Sequence, residues 1–171
     1  MIDTNKLVIM LREASKTQRY HTMPHHGSYT VGQHSFDMMT LAWVLVPVVT
    51  RNLMLGIMFH DLPERWTGDI PGPLKESDGE LGKRLAQLEA RIEAALGLKV
   101  ELTEDERAWI KVLDKVECFL WCQDQINMGN QNAVAGIGSL ASWFMHNRVP
   151  DNVAEFLKQF KWTRTPDQLP R

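Results

Sequence analysis

Residues 59–75 read Phe-His-Asp-Leu-Pro-Glu-Arg-Trp-Thr-Gly-Asp-Ile-Pro-Gly-Pro-Leu-Lys. His60 and Asp61 are adjacent and follow an apolar run, residues 53–59, that predicts a buried helix. An imidazole and a carboxylate side by side at the end of such a helix suit a first-row divalent metal ion. A further acid, Glu64, follows closely. Polar groups gathered after an apolar segment are unfavourable unless a ligand or a metal ion satisfies them. The segment therefore predicts an active site.

The helix before this segment is predicted to run from Arg51 to Asp61. Pro63 follows, and its ring disfavours the α conformation of the residue before it. We therefore expect the helix to break directly after the histidine–aspartate pair. Because of that break, the position of Glu64 relative to His60 does not follow from regular helical spacing.

A histidine and an aspartate lie on two further predicted helices. His34 is in the first turn of a long apolar helix, residues 32–49, where a polar side chain can face a site while the rest of the helix is buried. Asp114 lies inside a helix that is apolar over most of its surface. A buried aspartate needs a partner. That partner is either a metal ion or the ammonium group of Lys111 or Lys115.

The order His, His-Asp, Asp, with each motif on a separate helix, resembles the HD-domain metal-dependent phosphohydrolases. Closer similarity comes from Arg-Tyr-His-Thr at residues 19–22, from His-Asp-x-x-Glu with Thr-Gly-Asp-x-Pro-x-Pro-x-Lys, and from Lys-x-x-Asp. This set resembles the branch that holds the bacterial 5′-deoxynucleotidases and the phage deoxyadenosine triphosphate triphosphohydrolases. The resemblance covers about residues 10–125 and implies an all-α HD-domain helical bundle. We expect residues 1–171 to form one such domain, with closing helices and a tail at 126–171.

The resemblance implies four metal ligands: His34, His60, Asp61 and Asp114. Two nitrogens and two oxygens leave open positions on an octahedral ion, which is typical of a catalytic site. The set suits one divalent transition metal ion (Co, Mn, Zn, Ni or Fe), and a second ion, Mg²⁺, held by the substrate phosphates is compatible with it. Between Asp61 and Asp114 the chain has no histidine. That absence disfavours the cyclic-dinucleotide phosphodiesterases and di-iron oxygenases of this fold, which use further histidines there.

Two acidic residues of the opening segment, Glu64 and Asp69, are not needed as metal ligands and are free for proton transfer. In the 5′-deoxynucleotidases that the chain resembles, the matching acids serve the attacking water, the leaving group and the sugar. We therefore expect both to be catalytic. A non-catalytic metal-dependent nucleotide-binding module would keep the four ligands but has no use for these acids. Their presence favours an enzyme.

Phosphate groups need cations, and three basic residues match family positions that contact phosphates: Arg19, Lys75 and Lys111. An arginine offers a two-pronged hydrogen-bonding fork, and a lysine offers a point charge. Lys111 stands three residues before Asp114, a spacing at which helical side chains are neighbours. We therefore expect these three side chains to bind the substrate.

The chain departs from the family at two positions. Tyr20 stands where the deoxynucleotidases usually have a tryptophan, whose ring lies against the sugar and disfavours a 2′-hydroxyl. Tyrosine keeps a flat ring and adds a hydroxyl, so we expect Tyr20 to contact the substrate with an altered effect on deoxyribose selection. Gln33 stands where the family commonly has a glutamate before the histidine. This change removes a negative charge close to the expected metal ion.

The composition fits one domain with a sizeable core, because the chain has 171 residues and is 44% hydrophobic. A net charge of −2 argues against a broad nucleic-acid footprint, so no duplex nucleic acid is expected as a partner. No run reaches the ~18 apolar residues of a membrane span. The polar N-terminus lacks the pattern of a signal peptide, so we expect a cytoplasmic protein. Cys118 and Cys122 share one predicted helix and are expected to be free, buried thiols.

Helical periodicity also extends beyond the motifs. It predicts an amphipathic helix over residues 80–96 that Gly97 caps, and a capping box of Thr103 and Glu106 begins the helix that carries Asp114. Other helices are predicted over residues 4–16, 140–144 and 153–160. Loops are predicted over residues 71–73 and 162–171, and residues 129–138 are predicted to be either a loop or the start of a weak helix. No stretch has the alternation of a strand, so the sequence predicts an all-α fold.

Two substrates remain open within this branch. Triphosphohydrolases release triphosphate and 5′-deoxynucleotidases release phosphate, yet both cleave the bond to the 5′ oxygen. The same ligands serve either reaction. The motifs Arg-Tyr-His-Thr and Thr-Val-Gly-x-His are slightly nearer to the phage proteins. We therefore favour a deoxynucleoside triphosphate, with deoxyadenosine as the favoured nucleoside. A 5′-deoxynucleotidase acting on monophosphates is the alternative. The resemblance also implies a homo-oligomer, a dimer or a hexamer.

Overall fold

A computed structural model describes residues 3–159 of the chain. The helices are α1 (Thr4–Ala14), α2 (Val31–Leu45), α3 (Arg51–Phe59), α4 (Glu64–Thr67), α5 (Gly72–Ser77), α6 (Gly79–Leu96), α7 (Glu104–Asn127), a short 3-10 helix (Gln131–Ala133), α8 (Val134–His146) and α9 (Asp151–Gln159). Within residues 3–159 the only β-type pairing is an isolated antiparallel bridge between Gln18 and Thr30. The predicted all-α fold is confirmed. The predicted loop at 162–171 lies outside the described residues.

Short polar side chains begin the helices that carry the site. The hydroxyl of Thr30 accepts a hydrogen bond from the backbone N–H of residue 33 and begins α2. Thr50 begins α3 in the same way. The predicted capping box of Thr103 and Glu106 is present at the start of α7. The predicted cap at Gly97 is also present, with a left-handed φ of 69° that a residue without a side chain adopts freely.

The helix is interrupted before Pro63, as predicted, but it ends earlier than the predicted Asp61. Helix α3 ends at Phe59, and His60 is its C-cap. A turn follows, and the next helical segment, α4, begins at Glu64. One loop prediction was wrong. Residues 71–73 are not a loop, since α5 begins at Gly72 with a proline in its first turn, where a backbone N–H has no acceptor within the helix. The segment 129–138, predicted as a loop or a weak helix start, contains the 3-10 helix and the start of α8, which agrees with the second of these alternatives.

The main core lies between α2, α3 and α7, and side chains of α8 and α9 cover it. Its fully buried members are apolar side chains spaced along one face of each helix. They include Met38, Leu53, Ile57, Leu113 and Val116. Helices α3 and α7 approach closely at Gly56, where a β-carbon would lie 2.8 Å from a side-chain carbon of Ile110. This contact sets the spacing of the two helices.

Three helices of this core carry the predicted metal ligands. His34 lies in the first turn of α2, His60 ends α3, and Asp114 lies in the middle of α7. Because these helices pack on one another, residues that are distant along the chain are brought to one place. Among residues 3–159, no helix is both long and apolar enough to cross a membrane.

Candidate active site

The four predicted metal ligands lie together. The Nε2 atom of His34 is 3.6 Å from Oδ2 of Asp61 and 3.3 Å from Oδ1 of Asp114. The Nε2 atom of His60 is 3.2 Å from the same oxygen of Asp61. The centroids of the two imidazole rings are 5.2 Å apart. Donor atoms of His34, His60 and Asp61 lie within 4.8 Å of one another, and so do donor atoms of His34, Asp114 and Cys118. His34 is common to both groups.

The two histidines present unpaired nitrogens to this centre. His34 Nε2 and His60 Nε2 are both buried and have no hydrogen-bond partner. The Nδ1 atom of His60 donates a hydrogen bond to the backbone carbonyl of Ile57, 2.7 Å away. A buried polar atom without a partner is unfavourable, and a metal ion would satisfy both nitrogens while binding the nearby carboxylates. The residues therefore fit a divalent metal ion of the kind that imidazole and carboxylate bind.

Electrostatics keep the two aspartates ionised. Burial alone would raise the pKa of Asp61, but His60 and the guanidinium of Arg19 outweigh it and hold this pKa well below its ordinary value. Burial acts against Asp114 in the same way. There the neighbouring imidazole of His34 and the charge of Lys115 outweigh burial and lower the pKa. Carboxylates bind metal ions in their ionised form, so both groups are in the state that a ligand needs.

Arg19 is predicted to contact phosphate, and the structure places its guanidinium among the acids of the site. The side chain is buried, with 7% of its surface exposed. One terminal nitrogen forms an ion pair with Asp61 and lies 3.8 Å from Oε2 of Glu64. The other lies 3.8 Å from Oδ1 of Asp114 and 3.8 Å from Sγ of Cys118. Arg19 therefore supplies positive charge to a centre that is rich in carboxylates.

Glu64 begins α4 and is buried beside the predicted ligands. Only 4% of its surface is exposed, and its Oε2 atom has no hydrogen-bond partner. Burial raises the pKa of Glu64 to about 8, and the nearby carboxylate of Asp61 acts in the same direction against Arg19. A carboxyl group with a pKa near neutrality exchanges a proton readily, which suits general acid–base catalysis.

Asp69 is tied to the segment that carries Arg19. Its Oδ2 atom accepts a hydrogen bond of 2.7 Å from the backbone N–H of Tyr20. Tyr20 is the non-glycine residue with a positive φ, 53°, among residues 3–159. This left-handed conformation is unfavourable for a residue with a side chain and needs support from its surroundings. Asp69 provides that support and also lies close enough to Glu64 to raise its pKa.

The two departures from the family have different surroundings. The ring of Tyr20 stacks on Trp121, with centroids 4.6 Å apart and an angle of 25° between the planes. Trp121 stacks on Tyr29 at the same distance. Tyr20 is therefore held in an aromatic stack at the edge of the site. Gln33 is exposed on the surface. Its replacement of a glutamate does not alter a buried contact.

The two predicted phosphate-binding lysines are placed differently. The Nζ atom of Lys75 is 3.8 Å from Oε1 of Glu64, so this lysine faces the site. The Nζ atom of Lys111 lies over the ring of Trp143, 5.9 Å from its centroid. It is Lys115 that pairs with Asp114, with 3.1 Å between Nζ and Oδ2. The structure therefore places Lys75 next to Glu64. Lys115, and not Lys111, lies next to Asp114.

Sequence reasoning missed two residues behind His34. The carboxylate of Glu117 contacts Nδ1 of His34, and the hydroxyl of Tyr29 donates a hydrogen bond to the same carboxylate. One signal for Glu117 was available, since it is a charged residue on the otherwise apolar face of a helix, three residues after Asp114. Nothing in the sequence pointed to Tyr29. The predicted free and buried state of Cys118 and its neighbour Cys122 is confirmed.

A family model described as 5′-deoxynucleotidase YfbR-like matches residues 6–103, which is more than half of the chain. A 5′-deoxynucleotidase of Vibrio cholerae is 26% identical, over 84% of this chain and 86% of that protein. These names belong to the predicted alternative, the 5′-deoxynucleotidases, and not to the triphosphohydrolases that the motifs favoured. The comparisons thus support the alternative better.

Two solved structures share the fold. An HD-domain phosphohydrolase from Listeria innocua superposes with a TM-score of 0.73 at 20% identity, covering 91% of this chain and 86% of that one. The HD phosphohydrolase DatZ of cyanophage S-2L, solved with dA and one catalytic Zn²⁺ ion, gives a TM-score of 0.65 at 19% identity, covering 92% and 93%. The predicted HD-domain helical bundle is confirmed.

Proposed function

This chain is a phosphohydrolase of the YfbR-like 5′-deoxynucleotidase family, and from that premise we propose that it hydrolyses 2′-deoxynucleoside 5′-monophosphates to deoxynucleosides and phosphate. The observation that carries the proposal is the meeting of two buried, unpaired imidazole nitrogens with Asp61 and Asp114, next to the buried acid Glu64. Such a centre suits cleavage of a phosphate ester. Negative charge develops on the phosphoryl oxygens in the transition state, and a site of this kind can stabilise it.

The metal ion is proposed to be held by His34, His60, Asp61 and Asp114. Zn²⁺ is the first candidate, since DatZ was solved with one catalytic Zn²⁺ ion, and Co, Mn, Ni and Fe fit the same donors. A bound divalent ion polarises a phosphoryl oxygen and activates a water molecule. Mg²⁺ carried in with the substrate phosphates is compatible with this arrangement.

The two acids next to the ligands are proposed to move protons. Glu64 in its ionised form takes the proton of the attacking water. It has an oxygen without a hydrogen-bond partner, and the positive charges of Arg19 and Lys75 favour its ionised form. Asp69 serves the leaving 5′ oxygen and the sugar. Its carboxylate accepts a hydrogen bond from the backbone N–H of Tyr20, the residue proposed to contact the sugar, and this places Asp69 near the proposed sugar position.

Cations are proposed to bind the phosphate. Arg19 and Lys75 support this role by position, since both lie within 4 Å of the carboxylate of Glu64. Lys111 is the weaker member of the set, because its ammonium lies over Trp143. Lys115 is added to the candidates through its contact with Asp114. A phosphate monoester carries about two negative charges at neutral pH, so several cations are needed to balance it together with the metal ion.

A second candidate is a deoxynucleoside triphosphate triphosphohydrolase acting on dATP. It is supported by the shared fold with DatZ, which was solved with dA. Both reactions cleave the bond to the 5′ oxygen and use the same ligands. The products separate them: a nucleotidase releases phosphate, and a triphosphohydrolase releases intact triphosphate.

The test is product analysis by ion-exchange chromatography. The purified chain, loaded with Zn²⁺, Co²⁺ or Mn²⁺, is incubated with deoxynucleoside and ribonucleoside mono-, di- and triphosphates, with a chelator as the control. We expect nucleoside and phosphate from deoxynucleoside monophosphates, and no product in the presence of chelator. Intact triphosphate would establish the second candidate. Bound metal without turnover of any substrate would favour a non-catalytic nucleotide-binding module.

A homo-oligomer is also proposed, a dimer or a hexamer. One side of α2 supports it, because Phe36, Trp43 and Val44 are each at least 65% exposed. Large apolar side chains grouped on a surface mark protein contacts. Light scattering after size-exclusion chromatography would give the mass. We expect Trp43→Glu to reduce it to that of one chain, with Trp66→Glu as a control at another exposed tryptophan.

A further inference from the structure

A buried pair of side chains lies behind His34, on the side of the imidazole opposite to the metal centre. The carboxylate of Glu117 receives two contacts at the same oxygen, Oε2, one from Nδ1 of His34 and one from the hydroxyl of Tyr29. The hydroxyl of Tyr29 is itself 3.1 Å from Nδ1 of His34. Both Tyr29 and His34 are fully buried, and Glu117 is 4% exposed.

These contacts decide which imidazole nitrogen carries a proton. Glu117 is an acceptor when ionised, so the Nδ1 atom that touches it must donate. A neutral imidazole with its proton on Nδ1 has a free lone pair on Nε2. That atom is the one that faces Asp61 and Asp114 and has no hydrogen-bond partner. The contact with Glu117 therefore selects the tautomer that binds a metal ion.

We propose that Glu117 is a positioning residue that holds the His34 imidazole with Nε2 directed at the metal ion, and that Tyr29 holds Glu117 in place. This inference rests on the metal centre of the proposed function. Carboxylates that orient ligating histidines are a general device of metal sites, and they affect metal affinity without touching the metal.

A purely structural role for Glu117 does not explain its place. Burying a carboxylate is unfavourable, and an apolar side chain on this face of α7 would stabilise the core more. The carboxylate of Glu117 is also contacted by two polar groups from separate parts of the chain, those of Tyr29 and His34. Tyr29 precedes α2, His34 lies in α2, and the ring of Tyr29 is fixed by stacking on Trp121, with centroids 4.6 Å apart. The three groups thus form one rigid unit.

The first test is calorimetric titration of the metal-free full chain with Co²⁺ or Zn²⁺ alone. Glu117→Gln removes the charge and keeps the volume, and we expect metal affinity to fall roughly 10–100-fold. Tyr29→Phe keeps the stacked ring and loses only the hydroxyl, so we expect a smaller loss. Glu104→Gln removes an exposed charge from the first turn of the same helix and should leave the affinity within about twofold of the parent.

The double variant Tyr29→Phe with Glu117→Gln tests whether the two residues act as a unit. If Tyr29 works only through Glu117, the double variant binds metal no more weakly than Glu117→Gln alone. If the losses of metal affinity in the two single variants add in full in the double variant, the role assigned to Tyr29 is overturned. Circular-dichroism melting of each variant verifies that the chain is folded, and Tyr29→Phe keeps the test available if Glu117→Gln does not fold.

The visible absorption of bound Co²⁺ supplies a measurement that a structural role would not change. A reoriented imidazole alters the ligand field, so we expect the bands of Glu117→Gln to shift from those of the parent, while those of Glu104→Gln stay unchanged. Equal affinity and an equal spectrum in Glu117→Gln would overturn the inference and leave the proposed function standing. Failure of the parent chain to bind Co²⁺ and Zn²⁺ would overturn the metal centre itself.

Discussion

The two histidines of the site are held by different means. His34 lies in the first turn of α2, is fully buried, and is contacted at Nδ1 by the carboxylate of Glu117 from α7. His60 lies at the end of α3, is partly exposed, and donates from Nδ1 to a carbonyl of its own helix, that of Ile57. Both arrangements leave Nε2 free. The same state, with Nε2 available to a metal ion, is thus reached once through tertiary contacts and once through the local backbone.

The two sides of the site also differ in their neighbours. On the enclosed side, the imidazole of His34 contacts Glu117, and its centroid is 6.0 Å from that of the Tyr29 ring. On the open side, His60 lies next to Asp61, whose charge acts on Glu64, and Nζ of Lys75 is 3.8 Å from Oε1 of Glu64. Under the proposed function, the enclosed side fixes the metal ion and the open side receives the phosphate and moves the proton. Variants on each side therefore separate metal binding from catalysis.

The largest effect is expected at the residue that both sides share. Oδ2 of Asp61 is approached by Nε2 of His34 and of His60. We expect Asp61→Ala to lose metal binding and activity together, measured as metal content by atomic absorption and as phosphate release. Asp105→Ala, at an exposed position in the first turn of α7, is the control and should keep both. An Asp61→Ala protein with full metal content would contradict the ligand assignment.

A smaller effect is expected on the open side. Glu64→Gln keeps the shape of the side chain and removes its ability to accept a proton. We expect the metal content to be unchanged and kcat to fall roughly 10²–10⁴-fold, the usual contribution of general acid–base catalysis. Steady-state phosphate release together with metal analysis measures both quantities. Loss of metal in this variant would mean that Glu64 is itself a metal ligand, and the proposed division between metal binding and catalysis would be wrong.

The lysines are expected to show a still smaller effect. Lys75→Met removes a cation that faces Glu64, and loss of a charged hydrogen bond to phosphate should raise KM roughly 10–100-fold. Lys111→Met is the matched comparison. Its effect should be several-fold smaller, because the ammonium of Lys111 lies over Trp143. Substrate saturation curves for both variants decide the matter, and an equal rise in KM would restore Lys111 to the phosphate site.

The smallest effect is expected far from both sides. Thr103 caps α7, the helix that carries Asp114 and Glu117. Thr103→Ala should lower the free energy of unfolding by about 1 kcal/mol, the usual effect of losing an N-cap, and leave kcat/KM unchanged. Urea unfolding and a standard assay measure the two quantities. A clear fall in kcat/KM would mean that the geometry of the site depends on the far end of the helix.

Local chemistry made much of the fold predictable. The caps at Thr103 and Gly97 and the break before Pro63 were predicted correctly, because each depends on residues within one helical turn. The wrong prediction is of the same local kind. Pro and Gly at 71–73 indicate a loop, although both residue types are also tolerated at the first turn of a helix.

The sequence by itself determined the all-α class, the HD motif and the residue types at the candidate metal centre, since helical periodicity and the order of motifs are properties of the chain alone. Tertiary structure decided which partners those residues have. Lys115 rather than Lys111 reaches Asp114, and Glu117 reaches His34 across 83 positions. Such pairings depend on how α2 and α7 cross and how each side chain is rotated, and no local pattern encodes that crossing.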